Sequence, residues 1–273
     1  MQFTTLLQRK LFAAVLSLAC SLSALGQEGG TTPATTAMKT VAEQVEGDWT
    51  DGRWNQADVG PFMSADIHTP QGRTLKGIAI KVGGTAQATV CFNTELLGYS
   101  AAWADGFLEF DPRRYGLIGG PKPKGRTLFA NDITPGWMHD GKLDDPRTRK
   151  LGPLPRSRAK YRGLYRHGKR VALSYTVGET TVLDEPWAGD ADGRLFLTRT
   201  LELGQAAKPL TALIASKRGA TAVLQKISGL AVAQLPAGDE TLWVAALGQG
   251  TGLAVKNDRI LLTVQPGAAK RLA

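Results

Sequence analysis

Apolar and polar residues alternate with a period of two along much of the chain from Leu75 onward. Residues 75–82 alternate around Gly77, Gly83-Gly84 supplies a turn, and residues 86–92 form a second apolar run. Two such runs joined by a glycine turn are typical of a β-hairpin. The pattern therefore predicts that the two segments pair as antiparallel strands.

Short runs of the same kind recur roughly every 8 to 12 residues, separated by Gly, Asp and Asn, which is the rhythm of stacked antiparallel sheets. Three of them, at residues 161–166, 171–177 and 180–183, are joined by tight turns and predict a meander. The remaining predicted strands are residues 107–110, 127–130, 195–199, 210–214, 222–227, 230–235, 242–247, 253–256 and 260–264. The chain is therefore predicted to be mainly β, an antiparallel β-sandwich or supersandwich-like fold.

One or two short helices are predicted to interrupt this pattern. Met38, Val41, Ala42 and Val45 have the i, i+3, i+4, i+7 spacing of a helical stripe. Residues 94–104 carry apolar side chains behind Thr94, a plausible N-cap, and predict a second helix or helical turn.

Residues 111–158 follow neither period. They contain seven of the 14 prolines together with many basic residues. A loop of this length is uncommon in a compact domain unless it is functional or disordered. We therefore expect a long basic loop region that projects from the sheets, and we expect function there.

The first 26 residues have the features of a secretory signal peptide. Arg9 and Lys10 precede an uncharged apolar stretch, and Ala24-Leu25-Gly26 offers small residues before a cleavage point. The alternatives are a membrane anchor, which the short apolar stretch disfavours, and a lipoprotein modified at Cys20. We predict a periplasmic or secreted protein with a signal peptide at 1–26, a disordered linker at 27–37 and a β-rich domain at 38–273. No later stretch is long and apolar enough to span a bilayer.

After signal cleavage Cys91 is the one remaining cysteine, in the apolar run Ala88-Thr89-Val90-Cys91-Phe92. The sequence thus has no Cys-x-x-Cys-His for covalent haem and no thiolate zinc site. We expect no cofactor in this chain and a buried, inert thiol.

The net charge of +9 is unevenly distributed. Residues 27–111 carry 5 Lys and Arg against 11 Asp and Glu, whereas residues 112–170 carry 16 against 4. A basic cluster attracts polyanions, and an exported protein would meet an acidic polysaccharide, an anionic surface or an acidic partner domain sooner than nucleic acid. The alternative is that the basic loops fold back onto the acidic first third.

Candidate catalytic residues have simpler explanations. His68, His139 and His167 are scattered without metal-binding spacing. The adjacent carboxylates Asp144-Asp145, Asp184-Glu185 and Asp190-Ala191-Asp192 lie beside Pro or Gly, so turn formation explains them. No Gly-x-Ser-x-Gly motif or glycine-rich phosphate loop is present.

Aromatic residues in loops suggest a binding surface, because an indole can stack on a sugar ring or on a neighbouring domain. Packing within the domain is the alternative for each of them, and Trp243, inside a predicted strand, is expected in the core. The predicted binding residues are Trp49, Trp54, Trp137, Arg113, Arg114, Lys122, Lys124, Arg126, Arg162 and Tyr165.

Several stretches resemble one family. They are Asp58-Val59-Gly60-Pro61-Phe62, Lys76-Gly77-Ile78-Ala79-Ile80-Lys81-Val82-Gly83, Val90-Cys91-Phe92-Asn93-Thr94-Glu95-Leu96-Leu97, Tyr161-Arg162-Gly163-Leu164-Tyr165-Arg166-His167-Gly168 and Leu173-Ser174-Tyr175-Thr176-Val177-Gly178. Together they resemble the DUF6797-type N-terminal domain of large exported planctomycete and verrucomicrobial proteins, which often carry a c-type cytochrome domain. The resemblance covers residues 48–187. Residues 188–273 would add strands, as a second sheet layer or the start of a next domain.

The resemblance implies an export-compartment module attached to redox machinery, and it carries over no catalytic residue. We therefore expect a noncatalytic binding or docking module for an anionic glycan or a partner redox domain. Two alternatives stay open. One is a carbohydrate-active hydrolase or lyase, for which Asp144, Asp184 and His139 would have to converge. The other is a structural N-terminal part of a cytochrome-bearing protein, since the last predicted strand lies close to the end of the chain.

Overall fold

The computed structural model describes residues 53–85, 87–112, 119–237, 240–267 and 269–272. Its described part contains one short 3-10 helix, Arg53–Gln56, and eighteen strands. The first nine are β1 (Phe62–Thr69), β2 (Gly72–Val82), β3 (Ala88–Asn93), β4 (Gly98–Ala104), β5 (Leu108–Glu109), β6 (Lys122–Pro123), β7 (Arg126–Ala130), β8 (Ala159–His167) and β9 (Arg170–Val177). The others are β10 (Thr180–Ala191), β11 (Arg194–Leu203), β12 (Leu210–Ser216), β13 (Val223–Ile227), β14 (Leu230–Ala237), β15 (Glu240–Ala245), β16 (Thr251–Lys256), β17 (Arg259–Val264) and β18 (Lys270–Leu272). The prediction of a mainly β protein is confirmed.

The first sheet has the strand order β1-β2-β3-β4-β7, and each neighbouring pair is antiparallel. The predicted hairpin is its centre, with Ile78 opposite Phe92 and Ile80 opposite Val90. Every residue of β3 and β4 is buried, so this sheet is covered on both faces.

The second sheet has the order β18-β11-β10-β9-β8 and contains the predicted meander. Burial alternates strictly along β9, where Val171, Leu173, Tyr175 and Val177 are buried and the residues between them are not. One face of this sheet is therefore internal, and the other is open to solvent.

The inner faces of the two sheets share one hydrophobic core, as expected of a sandwich. Ile78, Val90 and Phe92 of the first sheet cluster with Leu173 and Leu201 of the second. The Phe92 ring stacks on Tyr175 with a centroid separation of 5.7 Å and meets Tyr99 edge-on at 5.2 Å. Burying side chains of this size contributes about 1.5–3 kcal/mol each to folding.

The outer face of the first sheet packs on the segment that contains β5 and β6. Ile67, Cys91, Trp103 and Leu108 form a second core there, and Trp103 Nε1 donates to the carbonyl of Phe107 at 2.6 Å. Cys91 is fully buried, and this burial raises the pKa of its thiol to about 12. A thiol in that state is inert at neutral pH.

Residues 210–264 build two three-stranded sheets, β12-β17-β16 and β13-β14-β15. They join the main core through Ala212, Leu262 and Val264 and pack on each other around Ala233, Leu235 and Ile260. Trp243 of β15 is 56% exposed, so the prediction that it is a core residue was wrong. It occupies the solvent-facing side of an alternating strand.

Of the helix or helical turn predicted at residues 94–104, one turn forms at residues 94–97, where the Leu97 N–H donates to the Asn93 carbonyl at 2.8 Å, and no helix follows it. Asn93 Oδ1 accepts hydrogen bonds from the backbone N–H groups of Glu95 and Leu96, both at 3.0 Å, which closes a turn. Leu97 then takes a positive φ of 54°, and Gly98 begins β4. A side chain that bonds its own backbone competes with helix formation, so the chain reverses into a strand. The other predicted helix, at residues 38–45, lies outside the described residues.

Residues 131–158 lack regular strands, as predicted, but they do not project from the domain. Trp137, Leu143 and Leu154 are each at most 6% exposed. The segment meets the first sheet at Gly98 and Gly136, where a Cβ on Gly136 would lie 2.1 Å from the Leu97 carbonyl oxygen. The irregular segment therefore forms part of the wall of the sandwich.

Arg147 holds this segment together. It donates to Asp145 through Nε and Nη2, at 2.9 and 3.0 Å, and to Glu95 through Nη1 at 3.0 Å. It also bonds the Gly152 carbonyl. Burial alone would raise the pKa of Asp145, but the hydrogen bonds and charge of Arg147 lower it overall.

Among the residues that the structure describes, no helix has both the length and the apolar character needed to cross a membrane.

Candidate functional site

Four polar side chains meet inside the sandwich, between the two five-stranded sheets. Tyr99 comes from β4, Tyr175 from β9, Asp184 from β10 and Arg199 from β11. Asp184 is fully buried, and the Arg199 side chain is 16% exposed. Their inward orientation follows from strand register, since Tyr175 shares a face with the buried residues Val171 and Leu173. We call these four residues the buried polar cluster.

The Asp184 carboxylate is the centre of the cluster. Arg199 Nε donates to both of its oxygens, at 3.1 and 3.0 Å, and Nη2 donates to Oδ2 at 2.7 Å. The hydroxyls of Tyr99 and Tyr175 donate to Oδ1 and Oδ2 at 3.0 and 2.7 Å. The carboxylate is thus bound by one cation and two phenols, which is the pairing that a buried charge requires.

The cluster sets the protonation of its members. Burial, and then the negative charge of Asp184, raise the pKa of Tyr99 and of Tyr175 well above the ordinary tyrosine value. Burial opposes the charge of Arg199, but Asp184 outweighs it and raises the pKa of the guanidinium. At neutral pH both tyrosines are therefore protonated donors and Arg199 is a cation.

A cavity of about 540 Å³ adjoins the cluster. Tyr99 and Arg199 form part of its wall. Most of the remaining wall comes from β7, β11 and β15, and single residues come from β3, β10, β12, β14, β16, β17 and β18. Apolar side chains that line it include Leu128, Phe129, Leu197, Ile214, Leu242 and Leu253. A cavity of this size with few polar groups has the typical make-up of a small-molecule site.

The predicted binding residue Trp137 is not a surface residue. It is 5% exposed, belongs to the main core and meets the Tyr175 ring edge-on at 6.3 Å. Its position in a Gly- and Pro-rich loop suggested exposure, but the loop folds inward at Gly136. Core packing, the alternative stated for loop tryptophans, therefore accounts for Trp137, and it cannot stack on a ligand from solvent.

Four of the other predicted residues cannot be placed. Trp49, Arg113 and Arg114 lie outside the described residues, as does the side chain of Trp54.

Lys122, Lys124 and Arg126 are exposed beside the first sheet. Arg126 Nη1 contacts both carboxylate oxygens of Glu240 in β15, at 3.1 and 3.3 Å, and lies 4.0 Å from Asp105. Its charge is therefore compensated by two acids, whereas Lys122 and Lys124 form no ion pair with the described part of the chain.

Arg162 and Tyr165 lie on β8, at the edge of the second sheet, and both are exposed. Arg162 is the bulged residue between the pairs Tyr161 with Tyr175 and Gly163 with Ser174. Tyr165 is 66% exposed and points to the solvent face, opposite to Tyr175. The structure therefore separates these two residues from Lys122 and Lys124, which belong to the layer on the other side of the sandwich.

The solvent face of the second sheet carries further aromatic side chains besides Tyr165. The guanidinium of Arg170 lies 4.1 Å from the centroid of the Trp187 ring and is paired with Glu185. Phe196 is 46% exposed and covers Gly189, where a Cβ would lie 2.4 Å from the ring. We call this face, with Lys160, Arg162, Tyr165, Arg170, Trp187 and Phe196, the outer aromatic face.

The candidate catalytic residues do not converge with Asp184. Asp144 is exposed and pairs with Arg158 at 3.7 Å, and His139 is half-buried and lies 3.4 Å from Asp140. Asp190 Oδ1 accepts from the Gly193 backbone at 3.1 Å, so it closes a turn. Among the described residues no group of three or more His, Cys, Asp or Glu side chains could hold a metal ion.

Sequence reasoning missed three members of the buried polar cluster and assigned the fourth, Asp184, to a turn. A usable signal was present. Asp184 continues the inward series Thr180, Val182, Asp184 along β10, and burial alternates through it. A charged residue at an internal position of an alternating strand requires a buried partner.

Residues 90–184 match a family model described as "Domain of unknown function (DUF6797)", which confirms the resemblance. The match covers three of the four cluster residues, Tyr99, Tyr175 and Asp184, and ends before Arg199. No curated protein and no solved structure matches the chain.

Proposed function

We propose that the protein is an exported, noncatalytic binding module for an anionic glycan, and that the outer aromatic face is its binding surface. The observation that carries the proposal is the position of Tyr165. This aromatic side chain, 66% exposed, stands on the same strand as Lys160 and Arg162. A flat exposed ring and adjacent cations are the two groups that an acidic sugar chain would need.

Uncompensated charge supports this surface. Lys160 and Arg162 form no ion pair within the described residues, and Arg166 and Lys169 bond backbone carbonyls only. By contrast, Arg126, Arg147, Arg158 and Arg170 are each paired with a carboxylate. The alternative that the basic segment folds back onto acidic residues therefore describes only part of it.

The arrangement of the rings is the second support. Tyr165, Trp187 and Phe196 lie on strands β8, β10 and β11 of one sheet, and they share its solvent face. Since strands are about 4.8 Å apart, the three rings are spread across the sheet and could contact successive sugar units. Arg170, on β9 between β8 and β10, packs its guanidinium over the Trp187 ring and holds the ring in position.

A noncatalytic role fits the chemistry of the buried polar cluster better than the hydrolase or lyase alternative. The Asp184 carboxylate already accepts from Arg199, Tyr99 and Tyr175, so it has little capacity left as a base or nucleophile. A lyase base would have to be a deprotonated tyrosine, and the raised pKa of both tyrosines opposes that.

Binding to acidic and neutral polysaccharides tests the proposal. The purified protein is titrated with alginate, polygalacturonate and a neutral glucan at low and moderate salt. We expect saturable binding to an acidic polymer that weakens as salt rises, because exposed charges are screened. Tyr165→Ala should weaken it by about two- to tenfold, the range for one aromatic contact, and Arg162→Gln should reduce its salt dependence. Lys226→Gln, an exposed change on β13, is the matched control.

The outcomes separate the remaining alternatives. Salt-insensitive binding, or an equal effect of Arg162→Gln and Lys226→Gln, would refute the outer aromatic face as the site. Absence of binding to every acidic polymer would instead favour the same surface docking an acidic partner domain. Reading the gene beyond Ala273 for a Cys-x-x-Cys-His motif then tests the cytochrome-associated alternative.

A further inference from the structure

The cavity between the two main sheets is a separate site from the outer aromatic face, although Phe196 borders both. It lies on the internal side of β11, whereas the outer aromatic face is the solvent side of the same sheet. Its volume of about 540 Å³ falls within the usual range of ligand pockets. Protein interiors are normally packed without voids of this size, so the cavity needs an occupant or an explanation.

One side of the cavity is open to solvent. Trp243 and Leu247 belong to its wall, yet they are 56% and 58% exposed. These large apolar side chains surround an entrance near β15. An occupant could therefore enter without opening the sandwich, and it would cover apolar surface that is otherwise in water.

The polar groups of the wall define what the occupant must offer. Arg199 lines the cavity, and its Nε and Nη2 are committed to Asp184 and the Tyr175 hydroxyl. Its Nη1 makes no hydrogen bond with any described residue. Nη1 therefore retains two N–H groups that could donate hydrogen bonds to a molecule in the cavity.

The charge of Arg199 is already balanced. Asp184 lies 2.7 Å from Nη2, so the pair presents almost no net charge to the cavity. A carboxylate on the ligand would lose its hydration and meet Asp184 as a second negative charge, which is costly in an apolar site. An uncharged acceptor, such as an ester or ketone oxygen, can use Nη1 without that cost.

We propose that the cavity binds an elongated apolar molecule that carries one uncharged hydrogen-bond acceptor, and that Arg199 Nη1 donates to this acceptor. The apolar part of the ligand lies against Leu128, Leu197, Ile214 and Leu253. Asp184 and the two tyrosines hold Arg199 in position, so Arg199 is preorganised and the cluster acts as a positioning device.

A neutral fluorescent probe, N-phenyl-1-naphthylamine, reports occupation of the cavity in the purified protein. We expect saturable enhancement at one site per chain. Leu197→Trp, which adds an indole to the cavity wall, should lower probe affinity at least tenfold. Leu183→Trp adds the same group to the solvent face of the neighbouring strand and should leave it unchanged. Circular dichroism confirms that both variants fold.

Displacement of the probe tests the chemical class. Methyl decanoate should displace it at lower concentration than decanoate, which has a matched chain and a negative charge. Arg199→Lys keeps a cation beside Asp184 but removes the free Nη1 donor. It should weaken the binding of methyl decanoate at least about tenfold more than it weakens the binding of the probe, which lacks the acceptor, because a hydrogen bond to a charged group contributes about 1.5–3 kcal/mol.

Three results would overturn the proposal. Lack of saturable probe binding, or equal loss in Leu197→Trp and Leu183→Trp, would show that the cavity is not a binding site. Tighter displacement by decanoate than by its methyl ester would show that the ligand class is wrong. None of these results decides the role of the outer aromatic face, whose polysaccharide binding is measured separately.

Discussion

Asp184 illustrates how a single buried charge is stabilised in this protein. Removing a carboxylate from water costs several kcal/mol, and the cost is recovered only when charge and hydrogen bonds are both supplied. Arg199 supplies the charge, and the two tyrosine hydroxyls supply further donors. The members are interdependent, so loss of one should cost more than an ordinary hydrogen bond.

Arg199→Leu should therefore destabilise the protein by roughly 3–5 kcal/mol, because it leaves Asp184 buried without a cation. The measurement is the free energy of unfolding from urea titration. The control is Arg271→Leu, which breaks the exposed pair with Glu202 on the same sheet and should cost at most about 1 kcal/mol. Combining Asp184→Leu with Arg199→Leu should recover part of the loss, whereas additive losses would contradict the pairing argument.

The free energy of unfolding should also fall at alkaline pH, because a buried thiol and two buried phenols lose their protons more readily in the unfolded chain. Burial raises the pKa of Cys91 to about 12 and, with the charge of Asp184, the pKa of Tyr99 and Tyr175 well above its ordinary value. A group with a raised folded pKa stabilises the protein below its unfolded pKa and loses that contribution as pH rises. We expect stability to decline from about pH 9 upward, where the unfolded thiol and phenols ionise.

The tyrosine part of this prediction is visible in the absorbance of tyrosinate. Of the five tyrosines, Tyr99 and Tyr175 should ionise only as the protein unfolds, so their absorbance change should coincide with loss of circular dichroism. Ionisation of all tyrosines before unfolding would contradict their burial.

The sequence predicted the exposure of a side chain correctly where its polarity decides whether it is buried. The prediction failed where exposure depends on how a segment packs against the rest of the fold. Arg162 and Tyr165 are exposed on a strand, and Cys91 is buried, as expected. Trp137 and Trp243 were assigned to the opposite environments. Their positions depend on the inward turn at Gly136 and on which side of β15 is covered, and both are tertiary facts.

At the scale of elements, residues 131–158 show how an irregular segment becomes structural. Arg147 connects Asp145, Glu95 and the Gly152 carbonyl, and the backbone of Leu154 donates to the Glu95 carbonyl at 3.1 Å. These contacts replace the ladder hydrogen bonds that a strand would make. The segment should therefore loosen as a unit when Arg147 is removed.

Arg147→Met should cost about 2–4 kcal/mol and speed amide hydrogen exchange across residues 138–158, measured by mass spectrometry. Lys150→Met is the matched control, because Lys150 is exposed and touches the same Asp145 from outside. Faster exchange spread evenly over both sheets, with no excess in this segment, would mean that Arg147 supports the whole fold and not the segment.

Strand prediction was limited mainly by polar residues inside strands. Alternation correctly located β2, β3, β8 and β9. It ended β10 at residue 183 because Asp184-Glu185-Pro186 has the composition of a turn, yet the strand continues to Ala191. The pairing of Asp184 with Arg199 makes that continuation possible, and sequence periodicity does not reveal such a partner.

At the scale of the whole molecule, the uneven charge is only partly neutralised internally. Two described basic residues of the segment 112–170 pair with acids of the first third, Arg147 with Glu95 and Arg126 with Asp105. Other pairs of the segment are local or involve later strands, such as Arg170 with Glu185. Uncompensated positive charge thus remains at the edge of the second sheet, where the proposed glycan surface lies, and also at Lys122 and Lys124 on the other side of the sandwich.

The cavity links parts of the molecule that are far apart in sequence, and this predicts a global response to a ligand. Its wall joins β7 and β11 of the sandwich to β15 of the three-stranded sheet β13-β14-β15. A ligand that binds only the folded state stabilises it by about 2.7 kcal/mol at a hundredfold excess over its dissociation constant. Methyl decanoate should therefore raise the melting temperature and slow amide exchange in β15 and β11 together.

Leu197→Trp distinguishes this linkage from nonspecific effects of an amphipathic additive. The indole occupies the ligand's space, so the variant should show no ligand-dependent rise in melting temperature, whereas Leu183→Trp should respond like the original protein. Equal responses in both variants would assign the effect to surface binding. A response confined to β15 would show that the ligand touches the sheet β13-β14-β15 without reaching Arg199, because contact with Arg199 must also protect β11.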